Sequence, residues 1–252
     1  MPSPAAALDP EPRHAHLVQS WERYTAEEHA VWRTLYARRM ETLVSTGSEA
    51  VLRGVERIAL PSDSIPDLSR LNARLSPLTG WRATPIGGFL EARAFFASLA
   101  RREFPTTITI RPPHSLDYIP EPDIFHDVFG HVPLHSDPHF ADALQRFGAL
   151  AAQARDEEQG VALQRLFWFT VEFGLVRERG APRIYGSGLV SSAADAANAL
   201  GDGCVRRPFV LDEVMSQSFE IDHVQPVLFV IESFEALVET MEEAGKLLDL
   251  AA

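Results

Sequence analysis

Two histidines and one carboxylate are the residues of this chain best suited to hold a redox metal. His126 and His131 fall in the run Pro120-Glu-Pro-Asp-Ile-Phe-His-Asp-Val-Phe-Gly-His-Val-Pro-Leu134, and Glu172 follows in Phe167-Trp-Phe-Thr-Val-Glu-Phe-Gly-Leu175. Two imidazoles and a carboxylate bind Fe(II) while leaving positions open for oxygen chemistry. Glu172 stands in a segment with almost no other charge. A buried, unpaired carboxylate is unfavourable, and a metal ion would remove that penalty.

The spacing sets a geometric problem. Five residues along an α-helix turn through ~500°, so the two histidines would point about 140° apart. A distortion or a helix end must lie between them if they are to meet one ion. Gly130 and Pro133 are helix-ending residues. His126 is therefore expected in a helical turn and His131 near its end. From residues alone other readings stay open: a helical histidine pair is often core or surface, and a glutamate in an apolar run can pair with a buried arginine. Two rival metal patterns are weaker. His135-Ser-Asp137 with a distal histidine such as His223 would make a second two-histidine, one-carboxylate set, but such oxygenases use a double-stranded β core. His131, His135 and His139 would suit zinc on one continuous helix, which Pro133 and Pro138 interrupt. There is no His-Glu-x-x-His motif.

The elements that must position these residues read as mainly α with a few short strands. Thr25 and Glu28 form a capping-box pattern, followed by Trp32, Leu35, Tyr36, Met40 and Leu43 at helical spacing. Further helices are expected over 48–60, 89–104, 140–155, 161–179 and 192–200. A last one, capped by Ser233, runs from Phe234 to about Leu250. Residues 61–85 read as loop with one short helix. Strands are expected at 106–110, within 181–190, and at 209–211, 218–221 and 226–231.

Composition narrows the function classes. The chain has 252 residues, 46% hydrophobic and 23% charged, in the range of an ordinary globular protein. A formal net charge of −12 with no basic cluster argues against nucleic acid as a partner. Cys204 is the sole cysteine, which rules out an internal disulfide and suits a reducing compartment. The first residues carry neither a charged start nor a sustained apolar stretch, so no signal peptide or membrane span is expected and a cytoplasmic location is. Residues 1–15 are expected to be flexible and 16–252 to form a single domain.

Three motifs in order resemble the pterin-dependent aromatic amino acid hydroxylases: the Pro120–Leu134 run, Trp168-Phe-Thr-Val-Glu-Phe-Gly-Leu175, and Tyr185-Gly-Ser-Gly-Leu-Val-Ser-Ser192. The similarity runs from about Gly88 to Phe234. It implies the mostly helical catalytic domain of that family, Fe(II), tetrahydrobiopterin or a related tetrahydropterin, molecular oxygen, and ring hydroxylation of an aromatic amino acid. It implies that His126, His131 and Glu172 hold the iron. Arg111 matches the arginine that pairs with the substrate carboxylate, a task suited to a planar guanidinium fork. Trp168 matches the aromatic that lines the amino acid pocket, Ser191 the serine that supports the iron-ligand and substrate shell, and Gly188 and Ile221 are expected at the same substrate site. Phe95 matches the ring that stacks on the pterin, with Gly88, Phe89, Leu90 and Asp127 beside it. Three positions depart from the family pattern: Ile119 where threonine is frequent, Phe167 where tyrosine is usual, and Asp127 where glutamate is usual. Trp168 favours phenylalanine or tyrosine over tryptophan, and the short chain resembles single-domain phenylalanine 4-hydroxylases. Tryptophan hydroxylation or 3-hydroxylation of phenylalanine on the same scaffold are the alternatives, and a zinc hydrolase or a non-catalytic binding protein the distant ones. The resemblance further implies a monomer without a regulatory domain or a tetramerisation helix.

Overall fold

A computed structural model describes residues 17–250 apart from Phe89, Tyr118 and Pro120. The flexible start expected over residues 1–15 lies outside the described residues, as does Phe89, expected beside the pterin. Three helices open the fold: α1 (Ala26–Thr46), α2 (Glu49–Arg57) and α3 (Leu68–Thr79). The Thr25–Glu28 capping box forms as expected, Ser48 caps α2 and Asp67 caps α3. α3 is longer than expected for a stretch rich in proline and serine, and it carries Pro77 inside it.

The next elements are β1 (Arg82–Ile86), α4 (Ala92–Ala100) and β2 (Glu103–Thr107). β1 and β2 pair in parallel as a two-stranded sheet, with Thr84 opposite Pro105 and Pro85 opposite Thr106. β1 was not expected, because Pro85 argues against a strand. In a two-stranded sheet each strand has a free edge, where a missing N–H is tolerated. The strand expected at 106–110 begins earlier and ends at Thr107.

The site segments come next along the chain. A π-helix spans Phe125–His131 and a 3-10 turn spans Val132–Ser136. α5 (Pro138–Ala151) follows, with Asp137 as cap and Pro138 in its first turn. α6 (Glu157–Phe167) passes into a second π-helical turn, Trp168–Glu172. The single long helix expected over 161–179 is thus broken. After the turn the chain enters β3 (Leu175–Glu178), because Leu175 and Val176 pair with Val230 and Ile231. Gly174 permits the break: a Cβ there would run into the Tyr185 ring and the Thr170 carbonyl.

The remaining elements are β4 (Ala181–Ile184), α7 (Ser187–Ser191), α8 (Ala193–Leu200), β5 (Val205–Pro208), α9 (Leu211–Ser216), β6 (Val227–Ile231) and α10 (Phe234–Leu247). The second sheet has the order β4-β3-β6-β5. Residues 209–211 and 218–221 are not strands; the first is displaced by β5 upstream and α9 downstream, and the second stays a loop. Trp32, Trp81, Phe104, Phe125, Phe129, Phe140 and Tyr185 fill the core around the site segments. No described helix is long and apolar enough to cross a membrane.

Candidate metal centre and substrate site

The π-helix answers the spacing problem. Its hydrogen bonds run from i to i+5, so each turn takes more residues than an α-turn and i and i+5 come to one side. His126 and His131 accordingly face each other, with Nε2 atoms 3.3 Å apart and ring planes 89° to one another. The second π-turn, closed by the Phe173 N–H on the Trp168 carbonyl at 2.8 Å, aims Glu172 at the same point. Its Oε1 lies 3.1 Å from His131 Nε2, and its Oε2 lies 3.7 Å from His126 Nε2. Donors about 2.1 Å from an ion and at right angles are ~3 Å apart, so this trio fits one face of an octahedral cation.

Hydrogen bonds around the trio orient two of its members. The Ser191 hydroxyl donates to the Ser187 carbonyl at 2.8 Å, so its oxygen can accept the His126 Nδ1–H at 2.9 Å. A neutral His126 with its proton on Nδ1 presents a bare Nε2 to a metal. The Ser187 hydroxyl donates to Glu172 Oε2 at 2.7 Å. Burial opposes ionisation of Glu172, yet His131, His126 and the Ser187 hydroxyl together bring its pKa down to about 2. The deprotonated carboxylate is the form a metal requires, and a bound metal would displace any proton from the histidine Nε2 atoms.

α7 can press against both ligand segments because the contacts are glycines. A Cβ on Gly130 would sit 2.9 Å from the Ser187 carbonyl oxygen, one on Gly186 2.5 Å from that of Glu172, and one on Gly188 3.0 Å from the Phe173 ring. Ser187 was not singled out from sequence. The signal was present, since Ser187 and Ser191 are spaced i, i+4 and share one helix face.

Arg111 meets a second carboxylate that sequence reasoning also missed. Its Nε and Nη2 donate to Asp123 at 2.8 and 2.9 Å, and its Nη1 to the Leu116 carbonyl at 3.2 Å. A guanidinium has five N–H groups, so one remains on each terminal nitrogen. Both side chains are nearly buried, 8% and 5% exposed. Burial raises the Asp123 pKa, but Arg111 and two backbone N–H groups outweigh it and hold the carboxyl below its usual range. One of those N–H groups belongs to His126, 3.0 Å from Asp123 Oδ1. Asp123 thus joins the arginine to the metal segment.

The other expected site residues divide. Trp168 lies sandwiched between Phe173 at 4.6 Å and Phe219 at 4.4 Å, the latter nearly parallel at 13°. Its Nε1 is buried without an acceptor. Phe95 is half-buried and meets Phe96, Phe104 and Phe167 edge-on. Asp127 is buried and accepts the Thr107 N–H at 2.7 Å; burial above all raises its pKa. Gly88, exposed, has φ +141°, a conformation that favours glycine, and Leu90 is half-buried. Ile221 is not brought to the site: it is 78% exposed on the loop after Phe219. The loop has no strand partner to turn that side chain inward. The rival patterns do not assemble either. The groups of three candidate ligands among the described residues are the trio above and the exposed Glu220, Asp222 and His223. His135 and His139 join neither.

Fold and site together define a metal-binding helical domain of one family. Residues 8–250 match the family described as biopterin-dependent aromatic amino acid hydroxylase, and the chain belongs to it. The match extends well beyond the 88–234 legible from motifs. The phenylalanine-4-hydroxylase of Caulobacter vibrioides is 43% identical over 236 residues, covering 93% of this chain and 80% of that one. The crystal structure of Chromobacterium violaceum phenylalanine hydroxylase with bound oxidised Fe(III) superposes with a TM-score of 0.90 at 39% identity, covering 94% of this chain and 87% of that one. A second structure of that enzyme, holding iron(III) and the oxidised cofactor 7,8-dihydrobiopterin, gives 0.87 at 39% identity, with 93% and 86% covered.

Proposed function

We propose that the chain is a phenylalanine 4-hydroxylase, converting L-phenylalanine to L-tyrosine with Fe(II), tetrahydrobiopterin and molecular oxygen. The observation that carries this is the convergence of His126 Nε2, His131 Nε2 and a Glu172 oxygen on one point, with Ser191 and Ser187 orienting His126 and Glu172. The names of the bacterial relatives support phenylalanine and the 4-position. Iron and the reduced pterin, when bound, supply the activation of oxygen.

The residues of the chain supply position and the exclusion of water. His126, His131 and Glu172 hold the ion by one face. The two free N–H groups of Arg111 take the amino acid carboxylate, while Asp123 fixes the orientation of the guanidinium plane. Trp168, Gly188 and Ser191 border the side-chain pocket. Phe95 offers its ring to the pterin, Phe167 holds that ring edge-on at 5.8 Å, and Gly88, Leu90 and Asp127 lie on the pterin side. Ile221 joins the pocket only if its loop folds inward over Trp168.

The test is anaerobic Fe(II) reconstitution, then oxygen and a tetrahydropterin with phenylalanine, tyrosine or tryptophan in turn, with chromatography of the products. Para-tyrosine that depends on both iron and pterin is the expected result. Meta-tyrosine or hydroxytryptophan would overturn the specificity, and no hydroxylated product would overturn the activity.

A further inference from the structure

Arg39 is the one fully buried cation of α1 that reaches the site, and nothing so far explains it. It is 3% exposed, and no described carboxylate pairs with it. Its Nε donates to the Val190 carbonyl at 2.8 Å, its Nη2 to the Leu189 carbonyl at 3.1 Å, and its Nη1 to Thr42 Oγ1 at 3.1 Å. Burial lowers its pKa to about 10, so it remains charged at neutral pH. A buried charge without a counter-ion is unfavourable unless dipoles surround it.

The dipoles here are the last carbonyls of α7. The final carbonyls of any helix lack partners within the helix and form its negative end. A helix of five residues cannot hold its own geometry, since nucleation alone is unfavourable. α7 nevertheless carries both hydroxyls that set the ligands: Ser187 on Glu172 and Ser191 on His126. Gly130, Gly186 and Gly188 let its inner side press on the ligand segments. Arg39 grips it at its C-terminal end, and a planar fork on two successive carbonyls fixes rotation about the helix axis as well as distance.

We propose that Arg39 is a positioning residue for the metal centre, acting through α7 to hold the Ser187 and Ser191 hydroxyls against Glu172 and His126. The proposal rests on the trio being a metal site, and its test reads metal binding rather than turnover. Full-length, metal-free protein is titrated with Co(II) and followed by equilibrium dialysis and by the visible ligand-field bands. Arg39→Gln should weaken Co(II) binding roughly 10–100-fold, the usual effect of losing an outer-shell partner, and shift the bands. Ser191→Ala should do the same, and the double variant should be little weaker than the poorer single one, because both act on one link. A variant with a lowered Tm but the wild-type Co(II) Kd and spectrum would overturn the proposal, as would strictly additive losses. If Arg39→Gln does not fold, Arg39→Lys keeps the charge but not the fork and should bind Co(II) with intermediate affinity; wild-type affinity there would equally sink it. Failure of the unaltered protein to bind Co(II) would instead overturn the metal site, and with it the proposed function.

Discussion

His131 and His135 lie one helical turn apart and are both buried, 4% and 0% exposed, yet they inhabit opposite environments. The Nε2 of His131 faces Glu172 and His126. His135 sits among aromatic rings: Trp81 stacked at 4.6 Å, Phe104 at 5.0 Å and Phe140 at 6.2 Å. Neither of its nitrogens has a partner. Phe104 touches both imidazoles and separates the two regions. Four residues further on, His139 is half-exposed and pairs with Glu235 at 3.2 Å. Three histidines at identical spacing therefore meet a metal site, an apolar cage and solvent. Residue type and periodicity do not assign a role; the polarity of the surrounding side chains does.

That contrast can be broken most sharply at the polar end. His126→Ala or Glu172→Gln should abolish metal binding and reduce hydroxylation to background, measured by dialysis and product chromatography. Full activity in His126→Ala would remove the trio as the metal centre. Next in size is the joint beside it. Arg111→Ala removes the charge-assisted pairing with the carboxylate, a net loss of about 1.5–3 kcal/mol, so the KM for phenylalanine should rise roughly 10–100-fold with kcat changed far less. Asp123→Ala should also lower Tm, because a buried guanidinium loses its counter-charge. An unchanged KM would take Arg111 out of the site.

The cage makes a prediction of its own in pH. Burial first, and the nearby His131 second, lower the His135 pKa well below 6.5. A depressed histidine pKa means the unfolded chain binds the proton first, so stability is full above about 6.5 and falls as the pH drops. The slope is about 1.4 kcal/mol per pH unit for one proton. His135→Phe should therefore gain stability over the wild type steadily below that pH in denaturant titrations, with hydroxylation at pH 7.5 retained. Parallel stability curves would mean that His135 is hydrated or paired in solution. The smallest effect belongs to His139→Ala: an exposed pair contributes about 0.2–1 kcal/mol, so its Tm should barely move.

How much of this was legible in sequence depended on how local the cause was. The Thr25 capping box and the Ser233 cap could be read directly, since each rests on residue type within a few positions, whereas the three candidate ligands stood out together only through the family motifs. The break of the 161–179 helix could not: the strand at Leu175 and Val176 exists only because β6, more than fifty residues on, offers it a partner. β1 was hidden by Pro85, acceptable only because the sheet ends there. Ser187 and Asp123 stood inside the quoted motifs, yet their roles needed partners 15 and 12 residues away.

What the sequence alone determined about this protein is its chemistry: two imidazoles, a carboxylate, an arginine and the glycines of Tyr185-Gly-Ser-Gly, in an order that belongs to one family. What only the tertiary structure decided is convergence. An α-helix would point His126 and His131 apart, and the π-turns that bring them and Glu172 together are held by packing against α7. Packing elsewhere left His135 unpartnered among rings, and Ile221 lies in solvent. Side-chain chemistry is a property of each residue, whereas the direction in which a side chain points is set by all that surrounds it.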